Sequence, residues 1–306
     1  MKGKRIGMLM GGQNSEHEVS LRTGAALARA LRARGHQVVE LLVDGELPAA
    51  LRREGVEVAF VALHGRWGED GCVQGLLECM RIPYTGSGVL ASALSMDKVV
   101  SKRLFQAAGL RVAEDQVVPR AGLESFRPED LRLPYPVVVK PACEGSSVGV
   151  SIVREAAGLR AALEATRGMA GDALIERFIP GREIQVAVLD DQPLGAIEIV
   201  PAEEFYNYKA KYESGSGTRY LFPAPLADAE REEALAAGLG AHRALGCLGV
   251  SRVDTVLGAD GACTVLEVNA LPGMTETSLV PKIAAGLGIS FEDLAERLLA
   301  GAGLKA

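Results

Sequence analysis

The sequence predicts an α/β amino-terminal domain built on a parallel sheet, followed by α+β structure with antiparallel strands. Three observations carry this. The first third alternates apolar strand-like runs with segments of helical period. The later two thirds show paired strand patterns around turn residues. A length of 306 residues suits two or three domains at roughly 150 residues each. With 48% hydrophobic and 24% charged residues, the chain has enough apolar content for real cores. Its formal charge of −6 argues against general nucleic-acid binding. No apolar run reaches the ~18 residues of a membrane span.

The first apolar run, 5–10, reads as a buried strand ending in Gly11-Gly12. It is short for a signal-peptide core and leads to no small-residue cleavage site. A helix is expected over 19–33 with Gly35 as its stop, strands over 38–43 and 58–63, a helix over 73–80 and a short strand at 82–85. This β-α-β order implies a parallel sheet, with ligands beyond the carboxyl ends of its strands. A single long helix over 91–108 would bridge to the next domain.

Beyond it, strands are expected at 134–140 and 148–153 around a glycine-rich turn. A helix at 155–166 and a strand at 173–176 follow. Hairpins are expected at 183–189/194–200 and 250–257/263–268, the second turning at Asp260-Gly261. Helices are expected at 228–245, 278–286 and 290–300. The stretch 203–225 has no period and reads as a long loop, of the kind that is usually functional or disordered. Five cysteines, with no C-x-x-C pair, point to a reducing compartment rather than a disulfide framework or a zinc site.

No P-loop occurs. Gly86-x-Gly88-x-x-Ala91 matches a dinucleotide-binding pattern, but no acidic strand end follows about 20 residues later, so a structural turn is the better reading. The Asp260-Gly261 hairpin says more. Pairing about that turn sets Asp254 opposite Glu267 and Arg252 opposite Asn269, all on one face. Such oxygen donors suit Mg²⁺, while a solvated face with an Arg–carboxylate pair fits the spacing as well. Lys140 ends a strand before Glu144-Gly145-Ser146-Ser147-Val148-Gly149, which is either a phosphate nest or an ordinary glycine turn. Lys98 on its helix reads as a solvated residue, and the four histidines are too scattered to argue for a metal. Leu271-Pro-Gly273-Met should present backbone N–H groups near the hairpin face. Thr275 to Ser278 leads into a helix N-terminus suited to an anion.

Taken together these motifs are recognisable. Gly11-Gly12-x-x-Ser15-Glu16-x-Glu18-Val19-Ser20, Ala62-Leu63-His64-Gly65, Gly68-Glu69-Asp70-Gly71, Tyr84-Thr85-Gly86-Ser87-Gly88 and Ser95-Met96-Asp97-Lys98 come first. Lys140-Pro141, Glu144 to Gly149, Ala210-Lys211-Tyr212, Arg252-x-Asp254, Glu267-x-Asn269 and Pro272-Gly273-Met274-Thr275 follow in order. The set resembles the D-alanine–D-alanine ligases of the ATP-grasp superfamily over nearly the whole chain.

The resemblance implies an amino-terminal α/β domain (1–97) and two ATP-grasp lobes (98–178 and 179–306). It implies ATP-dependent joining of two D-alanines through a D-alanyl phosphate, for peptidoglycan, in the cytoplasm, by a homodimer. ATP and Mg²⁺ are the implied cofactors, with two ions bound and Mn²⁺ as a substitute. Lys98, Lys140 and Lys211 would contact phosphates. Glu176, Arg177, Phe178 and Ile179 would line the adenine pocket with Phe205 on the base, and Glu183 would hold the ribose. Asp254, Glu267 and Asn269 would bind the metal. Arg252 and the Gly273 N–H would stabilise the oxyanion. Glu16 would hold the first D-alanine's ammonium, linked to Ser146 and Tyr212, with His64 nearby. Ser278 and the Leu279 N–H would take the second substrate's carboxylate. The 203–225 loop would close over the site.

Three positions depart from the family pattern: Ala270 where a hydroxyl residue is usual, His17 for arginine and Arg177 for lysine. Tyr212 favours D-alanine over D-lactate as second substrate. Three other classes of reading remain: an ATP-grasp ligase for another acid, a nicotinamide-dependent oxidoreductase resting on Gly86–Ala91 alone, and a nucleotide-binding protein without turnover. Retention of every charged motif residue disfavours the last.

Overall fold

The computed structural model describes residues 3–14, 16–201 and 217–305. Strands β1 (Arg5–Met10), β2 (Gln37–Leu42) and β3 (Val58–Val61) form a parallel sheet in the order β2-β1-β3. The expected β-α-β unit is present, with helix α1 (His17–Ala33) as the crossover. It lies so close to β1 that a Cβ on Gly24 would stand 2.6 Å from the Met10 sulfur. Helix α2 (Leu47–Arg53), not read from the sequence, joins β2 to β3, and α3 (Cys72–Met80) follows. The strand expected at 82–85 shrinks to single bridges from Tyr84 to Ala59 and to Gly303. Pro83 lacks an N–H and cannot donate to a ladder.

The long helix expected over 91–108 is two helices, α4 (Val89–Met96) and α5 (Lys98–Ala107). Asp97 breaks them apart. Its backbone is extended, and its side chain accepts from the Val99 and Val100 N–H groups, capping α5. Lys98 is therefore the first residue of a helix aimed at the next lobe.

That lobe is a four-stranded antiparallel sheet in the order β4-β7-β5-β6: β4 (Asp115–Val118), β5 (Val137–Pro141), β6 (Ser151–Val153) and β7 (Ala173–Arg177). Helix α6 (Ala156–Ala165) covers it. The return strand is shorter than expected because Ser146, Ser147 and Gly149 take positive φ, which a strand cannot hold. The second antiparallel sheet runs β10-β9-β8-β11-β12. Its members are β8 (Arg182–Leu189), β9 (Gln192–Val200), β10 (Arg219–Leu221), β11 (Val250–Leu257) and β12 (Cys263–Asn269). The β8–β9 turn is tighter than expected: Asp190 and Asp191, both at positive φ, make it alone. Strand β10 lies inside the stretch read as a loop.

Helix α7 (Asp228–Ala244) packs on one face of the five-stranded sheet. The last helices, α8 (Leu279–Gly286) and α9 (Phe291–Ala300), share a core with α1: Leu27 and Leu31 lie in one cluster with Ile283, Leu294 and Leu298. Ala187, Ile197 and Ile199 of the five-stranded sheet join the same cluster. The carboxyl-terminal lobe is thereby fixed to the amino-terminal domain. Among the described residues no helix is long and apolar enough to cross a membrane.

Candidate active site

The β11–β12 hairpin positions the central groups. Arg252 pairs with Asn269 and Asp254 with Glu267, as the sequence predicts. The turn differs, however. Leu257 pairs with Cys263, leaving five residues in the turn, and a register shift lies between Asp254 and Thr255. The two departures compensate, so the site pairing holds. Alternation puts all four side chains on one face. Arg252 grips Asp254 with two hydrogen bonds, 2.7 and 3.0 Å. Asn269 Oδ1 accepts from the Leu271 N–H at 3.0 Å and so braces the loop that holds Gly273. Ala270, the departure from the family pattern, is buried among apolar neighbours.

Lys98 is not a solvated lysine. Its ammonium lies 3.2 Å from Glu267 and donates to the Glu144 carbonyl at 2.6 Å. Burial works against its charge, but the Glu267 carboxylate outweighs that and lifts its pKa. Lys140 lies 2.5 Å from Glu176 in the buried middle of the four-stranded sheet. Glu176 also pairs with Lys102. Burial pushes the Glu176 carboxyl up, yet the two ammoniums outweigh it and hold its pKa below the ordinary value. Lys102 was not singled out from the sequence, although it lies one helical turn past Lys98 on α5.

At the other side of the hairpin, Ser146 donates to Glu16 at 2.6 Å across 130 residues of sequence. A Cβ on Gly65, which takes positive φ, would sit 2.5 Å from the same carboxylate. Buried His64 contacts Thr23 at 3.1 Å and Glu69 at 3.4 Å. His17, the second departure, contacts the Gly12 carbonyl at 2.6 Å. Ser278 lies at the start of α8 and accepts from the Thr275 N–H at 3.1 Å. Cys143, near Lys98 and Asp97, has its thiol pushed up to about 11 by burial and by Asp97.

These residues line two cavities. One, about 440 Å³, is walled by Glu16, His64, Ser146, Arg252, Asn269, Gly273, Ser278 and Leu279. The other, about 400 Å³, lies between the two antiparallel sheets, walled by Lys140, Glu176, Arg177, Phe178, Ile179, Glu183 and Asp254. Lys98, Glu144, Gln185 and Glu267 line both. Of these shared residues, sequence reasoning gave Gln185 and Glu144 no role. Phe205, Lys211 and Tyr212, and most of the loop expected to close the site, lie outside the described residues. The Gly86–Ala91 pattern is a turn into α4, with Lys305 packed where a side chain on Gly88 would project.

Comparison with known proteins agrees with this geometry. Residues 43–87 match the family model for the D-ala D-ala ligase N-terminus, and residues 104–300 that for the C-terminus. A D-alanine–D-alanine ligase of an Anaeromyxobacter species is 60% identical over 99% of this chain and 98% of its own. That of Geobacter sulfurreducens is 54% identical, covering 100% and 96%. Among solved structures, the Bacillus anthracis D-alanine–D-alanine ligase complexed with ATP superposes with a TM-score of 0.86. It is 33% identical and covers 98% of this chain and 97% of its own. The VanG D-Ala:D-Ser ligase of Enterococcus faecalis gives a TM-score of 0.84 at 28% identity, covering 98% and 99%. Two antiparallel sheets enclosing a nucleotide-sized cavity, seen against these neighbours, define the class as ATP-grasp. Within that class, the chain belongs to the D-alanine–D-alanine ligase family.

Proposed function

We propose that the two cavities hold the two halves of one reaction, ATP between the sheets and two D-alanines beside Glu16 and Ser278. The chain joins two D-alanines with ATP, the reaction that supplies the D-alanyl-D-alanine of the cell wall. One observation carries the division of labour: the cavities meet at Lys98 and Glu267, where a γ-phosphate from one side can reach a carboxylate from the other.

Glu16, held by Ser146, binds the first D-alanine's ammonium and leaves its carboxylate toward the junction. Lys98 and Lys140 neutralise the phosphates, joined by Lys211. Glu183 takes the ribose, and Arg177 to Ile179 line the adenine side with Phe205. Once the acyl phosphate forms, the second amine attacks its carbonyl. Arg252 and the Gly273 N–H stabilise the oxyanion that develops. Ser278 and the Leu279 N–H hold the second carboxylate, and Tyr212 belongs with Glu16 and Ser146.

The donor chemistry of the hairpin fits magnesium: two carboxylates and an amide oxygen, all hard oxygen donors on one face. Among the described residues no group of three His, Cys, Asp or Glu offers a competing site. Asp254, Glu267 and Asn269 would hold the ions. When bound, the ions neutralise and position the transferred phosphoryl group. A homodimer in the cytoplasm completes the reading. The test is ATP-dependent turnover of D-alanine with D-lactate or D-serine offered in turn as competing second substrate, the products identified by mass. D-alanyl-D-alanine should be the product throughout; D-alanyl-D-serine formed equally well would move the chain to a D-alanine–D-serine ligase.

A further inference from the structure

Gln185 has no role in the reaction as derived so far, yet it stands in the row that carries it. It pairs across the ladder with Asp254, and Asp254 pairs with Glu267. Directly opposed residues share a face, so Gln185, Asp254 and Glu267 follow one another across three adjacent strands. Strands are spaced about 4.8 Å apart, so each side chain is within reach of the next.

Gln185 is 4% exposed and lines both cavities at their junction. Its Oε1 is buried and has no hydrogen-bond partner among the described residues. Buried polar atoms in native proteins are nearly always satisfied, and an exception calls for a ligand or water that supplies the missing donor. Among the described residues the neighbours supply none. Asp254 and Glu267 are acceptors themselves, and the cations nearest them, Arg252 and Lys98, are turned to those carboxylates. On its other side Gln185 faces Ile197, which has no polar group to offer.

We propose that Gln185 is a positioning residue of the cation site, its amide oxygen accepting a hydrogen bond from a cation-bound water. The inference rests on the assignment of Asp254, Glu267 and Asn269 as metal donors. Mg²⁺ and Mn²⁺ keep water ligands whose protons are strong donors, and a neutral acceptor orients such a water without adding charge.

The test is binding of Mn²⁺ to the protein loaded with ADP, with free Mn²⁺ read by electron paramagnetic resonance and ADP alone as the blank. Gln185→Leu should weaken Mn²⁺ about tenfold. Its thermal midpoint without metal should be unchanged or higher, because the substitution removes an unsatisfied buried oxygen. Gln185→Glu should bind Mn²⁺ at least as well as the unmodified protein, and it keeps the proposal testable if the leucine variant folds poorly. Asp254→Asn should lose binding outright. Unchanged Mn²⁺ affinity in Gln185→Leu beside a loss in Asp254→Asn overturns the role of Gln185 and leaves the metal site standing. Equal Mn²⁺ affinity in the unmodified protein and Asp254→Asn overturns both. A raised KM for D-alanine in Gln185→Leu, with Mn²⁺ affinity untouched, also overturns it and assigns the orphan oxygen to the substrate amine.

Discussion

Arg252 and Asp254 show how one side chain can serve two tasks. The guanidinium that pairs with Asp254 also faces the cavity holding Gly273. On the proposed oxyanion role it would act on charge that develops only in the transition state, and Arg252→Ala should lower kcat by about 10²–10³-fold. ATP affinity by calorimetry should stay within about twofold; near-normal turnover would contradict the oxyanion role. Glu16 is proposed as a ground-state contact to the first D-alanine. Glu16→Gln should raise the apparent KM of the first D-alanine by about tenfold or more, since it removes a charge-assisted hydrogen bond. An unchanged KM would count against the assignment.

Other residues were harder to see in the sequence. Lys98 and Lys102 look like solvated helix lysines, because nothing local reveals carboxylates brought from 74 or more residues away. Gln185 carries no motif. Its place follows only from extending the ladder one strand beyond the hairpin, a pairing between β8 and β11 that involves no short turn.

At the level of elements, the legible features were those set by local periodicity. Alternation on β11 and β12 gave the pairing of Asp254 with Glu267, although both the turn length and the register shift went unread. The 91–108 segment looks like one helix because its apolar spacing continues across the break. What ends α4 is the capping chemistry of Asp97. Replacing Asp97 with Ala removes the acceptor for two N–H groups and should cost about 1 kcal/mol of stability by urea unfolding. It should also lower ATP affinity, because Lys98 begins α5. A loss of stability with ATP binding intact would show that the cap does not position Lys98.

Two of the places that fasten the described parts of the molecule together can be tested. The first is the apolar cluster that α1 shares with α8 and α9. Leu294 is fully buried within it, and Leu294→Ala should destabilise by about 2–5 kcal/mol. Because the cluster joins the first domain to the last lobe, fluorescence and circular dichroism should report the loss in one coincident transition. Two separated transitions would mean the ends of the chain unfold independently.

The second is the Glu176 cluster, which ties α5 to the four-stranded sheet. Its carboxyl pKa is depressed on folding, so the unfolded chain takes up the proton first as pH falls. The contribution is fully present above the ordinary value of 4.5 and is lost as pH drops through the folded value. Glu176→Gln leaves two buried ammoniums poorly matched and should cost about 3–5 kcal/mol at pH 7. The gap from the unmodified protein should narrow as pH falls below 4.5 and close as it passes the depressed folded value. A gap independent of pH would remove the ion pair from the account.

The central claim is that the two cavities meet so that phosphate passes from ATP to a D-alanine carboxylate. D-alanine labelled with ¹⁸O in its carboxylate tests this directly, with the released inorganic phosphate analysed by mass. One labelled oxygen per phosphate is the predicted result, because the acyl phosphate breaks between carbon and the bridging oxygen when the amine attacks. Phosphate free of label, with D-alanyl-D-alanine still formed, would contradict the account.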